Sequence, residues 1–271
     1  MKIHDKTIVC YLDILGYTNI VKAHYDNIEL IKELESLMVG STSGFIQKAR
    51  KHLFPDTIYE DYSKQIIDLL NIKFISDSII FTLPLDNIPF SHENYTEKET
   101  ESNCIMMLLY FISMFCTLFI SHTGYCVRGG ISIGKHYENN FNEEKSLFVF
   151  SQAYIKAYQL ERKANTPRVL VDKVLYDYLA KIHFPKLDKF FFQDFQDISR
   201  SICFDFYAHL IKDTYEAKQV LEEIKRGIVL NLQQNSGDTK ILSKLKYFAN
   251  YHNEKATKVI PGDRDAIIET S

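Results

Sequence analysis

The chain has 271 residues, 32 of them Lys or Arg and 35 Asp or Glu, for a net charge of −3. That balance excludes a cationic nucleic-acid coat and a polybasic membrane arm, and an apolar share of 46% excludes a disordered chain. A chain of this length buries roughly three quarters of its extended surface and needs no covalent staples. Its five cysteines, Cys10, Cys104, Cys116, Cys126 and Cys203, form no CxxC pair and are odd in number. They read as buried thiols of a reducing cytoplasm, since MKIHDK at the start carries no leader pattern.

Taken in chain order, Thr7–Leu12 is short and β-rich, and Gly16 ends it. A helix follows near Asn27–Met38, with Ile28, Ile31, Leu34 and Met38 on one face. Residues 40–64 stay unassigned. Ile72–Ile75 and Ser78–Thr82 flank Ser76-Asp77 and predict a hairpin. Pro84–Asn103 is polar and acidic and predicts a mobile surface loop. The run CIMMLLYFISMFCTLFI, Cys104–Ile120, is apolar enough to span a membrane. However, Tyr110, Ser113, Thr117 and Ser121 form a polar stripe at helical spacing, and a strand-like segment follows directly. A helix buried across a sheet is therefore expected, with a membrane span as the alternative.

A strand is expected over Cys126–Ile133, ending at Gly134, and a short one at Leu147–Phe150. Gln152–Ala164 is amphipathic, with Ala153, Ala157, Leu160 and Ala164 on one face. Strands are expected at Arg168–Val171, Phe190–Phe192 and Ile202–Tyr207, then helices near Tyr215–Gln233 and Ile241–Asn250. The polar tail past Ile260 is expected to be loose. This order predicts an α+β, ferredoxin-like sandwich. Residues 1–172 would form the core and 173–271 a C-terminal extension.

Two acidic residues sit in unusual positions. Asp13 follows the first strand and Asp77 occupies the hairpin turn. If the strand and the hairpin are neighbours, both carboxylates meet at one rim, where repulsion favours a divalent cation with hard oxygen ligands. The competing reading makes Asp13 a helix cap and Asp77 a turn residue. Gly16 lets the chain turn so that backbone N–H groups opening the next helix can face a phosphate. Arg128 lies beside Gly129-Gly130, a pair that marks close approach of a ligand or of another backbone. It is either a phosphate clamp or a carboxylate partner. Lys73 points into a polar cleft or covers the sheet edge. No GxxxxGK[ST], GxGxxG or GxSxG motif occurs, and His209 and His252 read as packing residues.

In order, YLDILGY, KFISDSIIF and VRGGISIG resemble the three signature stretches of class III nucleotidyl cyclases, over residues 6–172. The run FVFSQAYIKAYQLERKANTPRVLVD, with KLKYFANYHN downstream, resembles the bacterial Pycsar pyrimidine cyclases of anti-phage systems. That resemblance implies conversion of UTP or CTP to cUMP or cCMP, read by a separate effector. It implies two Mn2+ or Mg2+ ions held by Asp13, Asp77 and the carbonyl of Ile14, with Arg128 as a catalytic cation. Substrate contacts are implied from Gly16, Tyr17, Lys73, Phe148, Lys156, Gln159 and Lys163.

A head-to-tail homodimer is also implied, the carboxylates of one subunit facing cations of the other, Arg128 among them; nucleic acid and membrane are not expected partners. Purine-making relatives carry an Asn and an Arg on the helix before RVLV, where this chain has Ile155 and Gln159. Lys156, Arg162, Lys163 and Arg168 are candidates for the missing charge. Phe148 falls near the adenine-reading position and removes an acceptor there. Lys73 as a donor to uracil O4 would favour UTP over CTP. The alternatives are a cyclase fold that binds nucleotide without turnover, or a polymerase-palm-like enzyme, although no GGDEF string is present.

Overall fold

The computed structural model describes residues 3–36, 60–86, 88, 94–141, 146–194 and 200–269. The first strand, β1 (His4–Ile14), is apolar over Ile8–Leu12 and buried from Thr7 to Leu12 because both of its faces are covered there. Its even-numbered residues Ile8, Cys10, Leu12 and Ile14 enter the main core, while Val9 and Tyr11 pack on the other side. Helices α1 (Tyr17–His24), α2 (Ile28–Glu35) and α3 (Glu60–Leu69) lead to the hairpin of β2 (Asn71–Ile75) and β3 (Ser78–Pro84). Then come α4 (Glu97–Thr123) and β4 (Val127–Phe141). The sheet order β2-β3-β1-β4, antiparallel throughout, is that of a ferredoxin-like βαββαβ unit.

The sheet continues beyond that unit. After β5 (Ser146–Ser151), which pairs back on the distal half of β4, α5 (Gln152–Ala164) crosses the second face. Next are β6 (Val169–Val171), parallel to β4, α6 (Lys173–Lys181), α7 (Leu187–Phe190), β7 (Phe191–Gln193) and β8 (Ile202–Phe204). The last two strands extend the sheet in the order β6-β8-β7. Finally α8 (Tyr215–Gln234) and α9 (Thr239–Val259) close the chain.

The long apolar helix is internal. Its sequence meets the length and hydropathy of a membrane span, yet 83% of the apolar window is buried. One side lies on the sheet through Phe81–Phe111 and Phe81–Phe115 contacts, and the other meets α8. Gly124 and Gly227 let the two helices touch: a Cβ on Gly227 would sit 2.9 Å from Gly124 Cα. The polar stripe faces protein. Ser113 Oγ donates to Phe206 O at 2.7 Å and accepts from His209 N at 3.1 Å, and Thr117 Oγ1 donates to Ser113 O at 3.0 Å.

Several sequence expectations are corrected. Helix α4 begins at Glu97, not after Asn103, because Thr96 and Glu99 form a capping box inside the polar stretch. Residues 87 and 89–93 of the expected loop lie outside the described residues. Strand β4 runs on past Gly134 to Phe141, and its distal residues His136–Phe141 pair with β5. On helix α2, Ile28 and Ile31 of the expected apolar stripe are 59% and 44% exposed, and Met38 lies outside the described residues. The tail is docked, with Ala266 and Ile268 buried. Asn253 Nδ2 donates to Ile268 O at 2.8 Å, and Ile268 N donates back to Asn253 Oδ1 at 2.7 Å.

Candidate active site

The site begins with the backbone. Ile14 N donates to Asp77 O at 3.0 Å, which ties the hairpin turn to the end of β1. Ser76 adopts φ +59° to make that turn. Asp13 shares the face of Val9 and Tyr11, and its carboxyl lies close enough to that of Asp77 for the two to interact. Asp13 is no helix cap: α1 opens at Gly16, φ +84°, without a side-chain cap.

Arg128 sits opposite Asp13 in the β1–β4 register and donates its Nε–H to Asp13 Oδ2 at 2.9 Å. Glu161 of α5 is only 3% exposed and brings Oε1 to 2.7 Å from the same Nε. Nε carries one hydrogen, and Asp13 receives it. Glu161 Oε1 is therefore charge-paired but has no hydrogen bond. Burial pushes the Asp13 carboxyl above its usual range, Arg128 opposes this, and Asp77 adds to it. Burial likewise pushes Glu161 up, against Arg128 and with help from Asp13 and Asp77. Three carboxylates against one guanidinium leave two negative charges unbalanced when all are ionised.

That excess of negative charge suits a divalent cation. Among the described residues no group of three His, Cys, Asp or Glu side chains is arranged to hold a metal ion alone. The Asp13–Asp77 pair supplies two hard oxygen donors, the set that magnesium and manganese complete with water and substrate phosphate. The donor chemistry fits.

The glycine pair next to Arg128 serves packing. A Cβ on Gly130 would lie 2.2 Å from Ala157 O, and one on Gly129 2.4 Å from Tyr11 O. Helix α5 thus rests directly on β4 through Ala153 and Ala157, and this close seat puts Glu161 beside Arg128. Tyr11 OH shares a 2.5 Å hydrogen bond with Ser78 Oγ, and its ring meets those of Tyr154 and Tyr158 edge-on.

A second polar cluster lies apart. Lys73 is ion-paired with Glu138, which also accepts from Asn71 Nδ2 at 2.8 Å and faces His136 Nε2 at 3.4 Å. Although burial pushes the Glu138 carboxyl up, these partners win and hold it down at about 2. Beside this pair is a cleft of about 710 Å3 lined by His4, Thr7, Asn71, Thr82, His136 and Glu138. Thr7 Oγ1 and His136 Nδ1 are buried there without hydrogen-bond partners.

Other predicted contacts scatter. Phe148 is 52% exposed on β5, paired with Asn139, eleven residues along β4 from Arg128. Lys156 reaches Asp172 at 3.6 Å, while Gln159 and Lys163 are exposed on α5. Arg168 is committed to Asp194 at 2.6 Å. Gly16 lines a separate cleft of about 290 Å3 with Pro167, Asn231 and Lys244, and Tyr17 packs half-buried on the core.

Glu161 and Glu138 were missed as site residues. Glu161 carried a signal, since it follows Ala153 and Ala157 at four-residue steps on the buried stripe, where an acidic side chain needs a partner. Glu138 carried none, because its strand looked finished at Gly134.

No protein-family model matches the sequence, and no curated protein sequence matches it. Solved structures do. The adenylyl cyclase CyaB from P. aeruginosa aligns at 16% identity and a TM-score of 0.42, covering 75% of this chain and 94% of that one. The dimeric guanylyl cyclase domain of the RhoGC fusion protein from Blastocladiella emersonii aligns at 13% and 0.37, covering 67% and 86%. A class III adenylyl cyclase-like ATP-binding protein from Pseudomonas aeruginosa aligns at 13% and 0.38, covering 80% and 40%. At such identities and scores these are likenesses of shape, and no substrate follows from them.

Proposed function

We propose that the protein is a nucleotidyl cyclase acting on a pyrimidine nucleoside triphosphate, its cyclic monophosphate serving as an anti-phage signal read by a separate effector. The observation that carries the catalytic part is the meeting of Asp13 and Asp77 at one rim with Arg128 in register opposite Asp13. Asp13, Asp77 and the Ile14 carbonyl would hold Mn2+ or Mg2+, which when bound lowers the pKa of the ribose 3′-hydroxyl and offsets charge on the leaving pyrophosphate. Arg128 faces the charge that grows on the α-phosphate oxygens as O3′ attacks in line. Glu161 keeps that guanidinium in place.

The Lys73–Glu138 pair and its cleft supply the donor and acceptor that a base edge needs. Glu138 changes the expected selectivity. Lys73 alone favoured uracil, but a neighbouring carboxylate accepts the cytosine amino group, so UTP and CTP both remain substrates of this reading. The site is completed in a head-to-tail homodimer. Supporting this, Phe148, Phe150, Ile155 and Tyr158 are 52%, 74%, 55% and 40% exposed, an apolar patch that a second copy would cover.

A second reading, nucleotide binding without turnover, is favoured by Ile155 and Gln159, which leave no cation on the exposed side of α5 at those positions. Incubation with each of the four NTPs and manganese, followed by product mass, separates the readings. A cyclic pyrimidine monophosphate supports the cyclase, a dinucleotide supports a polymerase-like enzyme, and tight nucleotide binding with no product supports the binding module.

A further inference from the structure

The Arg128 guanidinium occupies the carboxylate that the proposed metal would need. Its single Nε–H rests on Asp13 Oδ2 at 2.9 Å, while Glu161 Oε1 waits 2.7 Å from the same nitrogen without a hydrogen bond. Helix packing alone gives no reason for an acid there. Glu161 is 3% exposed on a stripe otherwise made of Ala153, Ala157 and Ala164, and an ionised carboxylate so placed is costly unless it has a charge partner.

We propose that Glu161 is a positioning residue: a buried second berth that takes the Arg128 Nε–H and so releases Asp13 to a divalent cation. The inference rests on the metal-dependent reading above. The exchange needs only a tilt of the guanidinium, because both acceptors already lie within hydrogen-bonding distance of one nitrogen. Before the cation arrives, Arg128 bonds Asp13 and screens its repulsion with Asp77. With a cation held by Asp13 and Asp77, the same N–H would instead satisfy the orphaned Glu161 oxygen. Without Glu161, Asp13 would be the remaining ion-pair partner of the guanidinium among the described residues, and Arg128 would compete with the cation for it. Neither state breaks a covalent bond or moves a proton.

The test measures Mn2+ affinity by calorimetry and by Mn2+ electron paramagnetic resonance on metal-stripped protein, with no nucleotide and no turnover. Four proteins are compared: the wild type, Glu161→Gln, Arg128→Met, and the double variant. Glu161→Gln should weaken Mn2+ binding by about tenfold to a hundredfold, the range for loss of an outer-sphere partner. Arg128→Met should bind at least as tightly as the wild type, and adding Glu161→Gln to it should change nothing further, because the competitor is gone. Melting temperatures without metal identify any variant that has lost its fold. If Glu161→Gln does so, Glu161→Asp, which keeps the charge, replaces it and should bind closer to the wild type than to a site lacking the acid. Wild-type affinity in Glu161→Gln overturns the berth, as does an equal loss in the Arg128→Met background, which would make Glu161 an independent ligand. Failure of the wild type to bind Mn2+ overturns the metal reading itself, and the berth with it.

Discussion

At the scale of residues, two carboxylates were placed at one rim by ordinary features: a strand that ends and a hairpin that turns. Burial raises the Asp13 carboxyl, Arg128 opposes this and Asp77 adds to it, and a protonated or cation-bound site is the relief. Replacing Asp77 with Asn removes one charged donor while nearly conserving shape. Product formation should then fall by at least about a hundredfold, as for a catalytic metal that loses a carboxylate. Melting temperature should stay level or rise, because repulsion with Asp13 is gone; turnover close to that of the wild type in a folded Asp77→Asn protein would remove the metal role. Asp13, Asp77 and Arg128 could be picked out from the sequence because each stands at a break in an apolar run. Glu161 and Glu138 could not be placed, since their partners are more than thirty and sixty residues away, at Arg128 and Lys73, and only the folded sheet joins them.

At the scale of elements, the seat of α5 on β4 governs the site. A methyl on Gly130 would strike Ala157 O and Leu160 Cβ, at 2.2 and 2.5 Å, so Gly130→Ala must lift the helix. Such overpacking costs about 1–3 kcal/mol and would carry Glu161 away from Arg128. Thermal unfolding should show the loss, and an unchanged melting temperature would contradict the close seat. The C-terminal tail gives a pH-dependent example. His252 is fully buried, donates Nε2–H to Ala266 O at 2.9 Å and accepts from Tyr207 OH at 2.8 Å. Burial, with Lys225 nearby, lowers its pKa to about 4, against the support of Ala266. The unfolded chain then takes a proton near pH 6.5 that the native state refuses until about 4. Stability from this group is complete above pH 6.5 and drains away as pH falls toward 4, by an amount on the order of 3 kcal/mol. Replacing His252 with Asn should lower stability at neutral pH and flatten that part of the curve; an equally steep fall would assign it elsewhere. The β2–β3 hairpin was legible because turn residues separate two β-rich runs. The start of α4, the end of β4 and the docked tail were not, because a capping box, an edge pairing and two buried side chains sit inside polar sequence.

At the scale of the whole molecule, the sheet order β2-β3-β1-β4 was legible from the alternation of strand-like and helical segments. The three short strands after α5 were legible too, at Arg168–Val171, Phe190–Phe192 and Ile202–Tyr207; their joining the same sheet in the order β6-β8-β7 was not, since pairing between distant short strands leaves no mark in local sequence. The internal place of α4 followed from its polar stripe, which contacts the segment around Phe206 and His209. The distribution of the site changes one expectation. Arg128 is ion-paired with Asp13 of its own chain, so in the proposed dimer the two would share one half-site. Mixing Asp77→Asn with Arg128→Ala protein should therefore give no rescue. Mixing Asp77→Asn with Lys73→Ala should restore part of the activity, if one chain's carboxylates work with the other chain's Lys73–Glu138 pair. Phe150→Asp, in the exposed apolar patch, should shift sedimentation from dimer to monomer and abolish that rescue. The most direct measurement is a competition: an equimolar mixture of UTP, CTP, ATP and GTP with manganese, sampled early, with each product weighed by mass. Ratios of product then report ratios of kcat/KM. Cyclic UMP or cyclic CMP in excess over both cyclic purines, lost in Asp77→Asn, is the predicted result. A cyclic purine as the main product would contradict the pyrimidine reading, and no cyclic product from any of the four would contradict the cyclase.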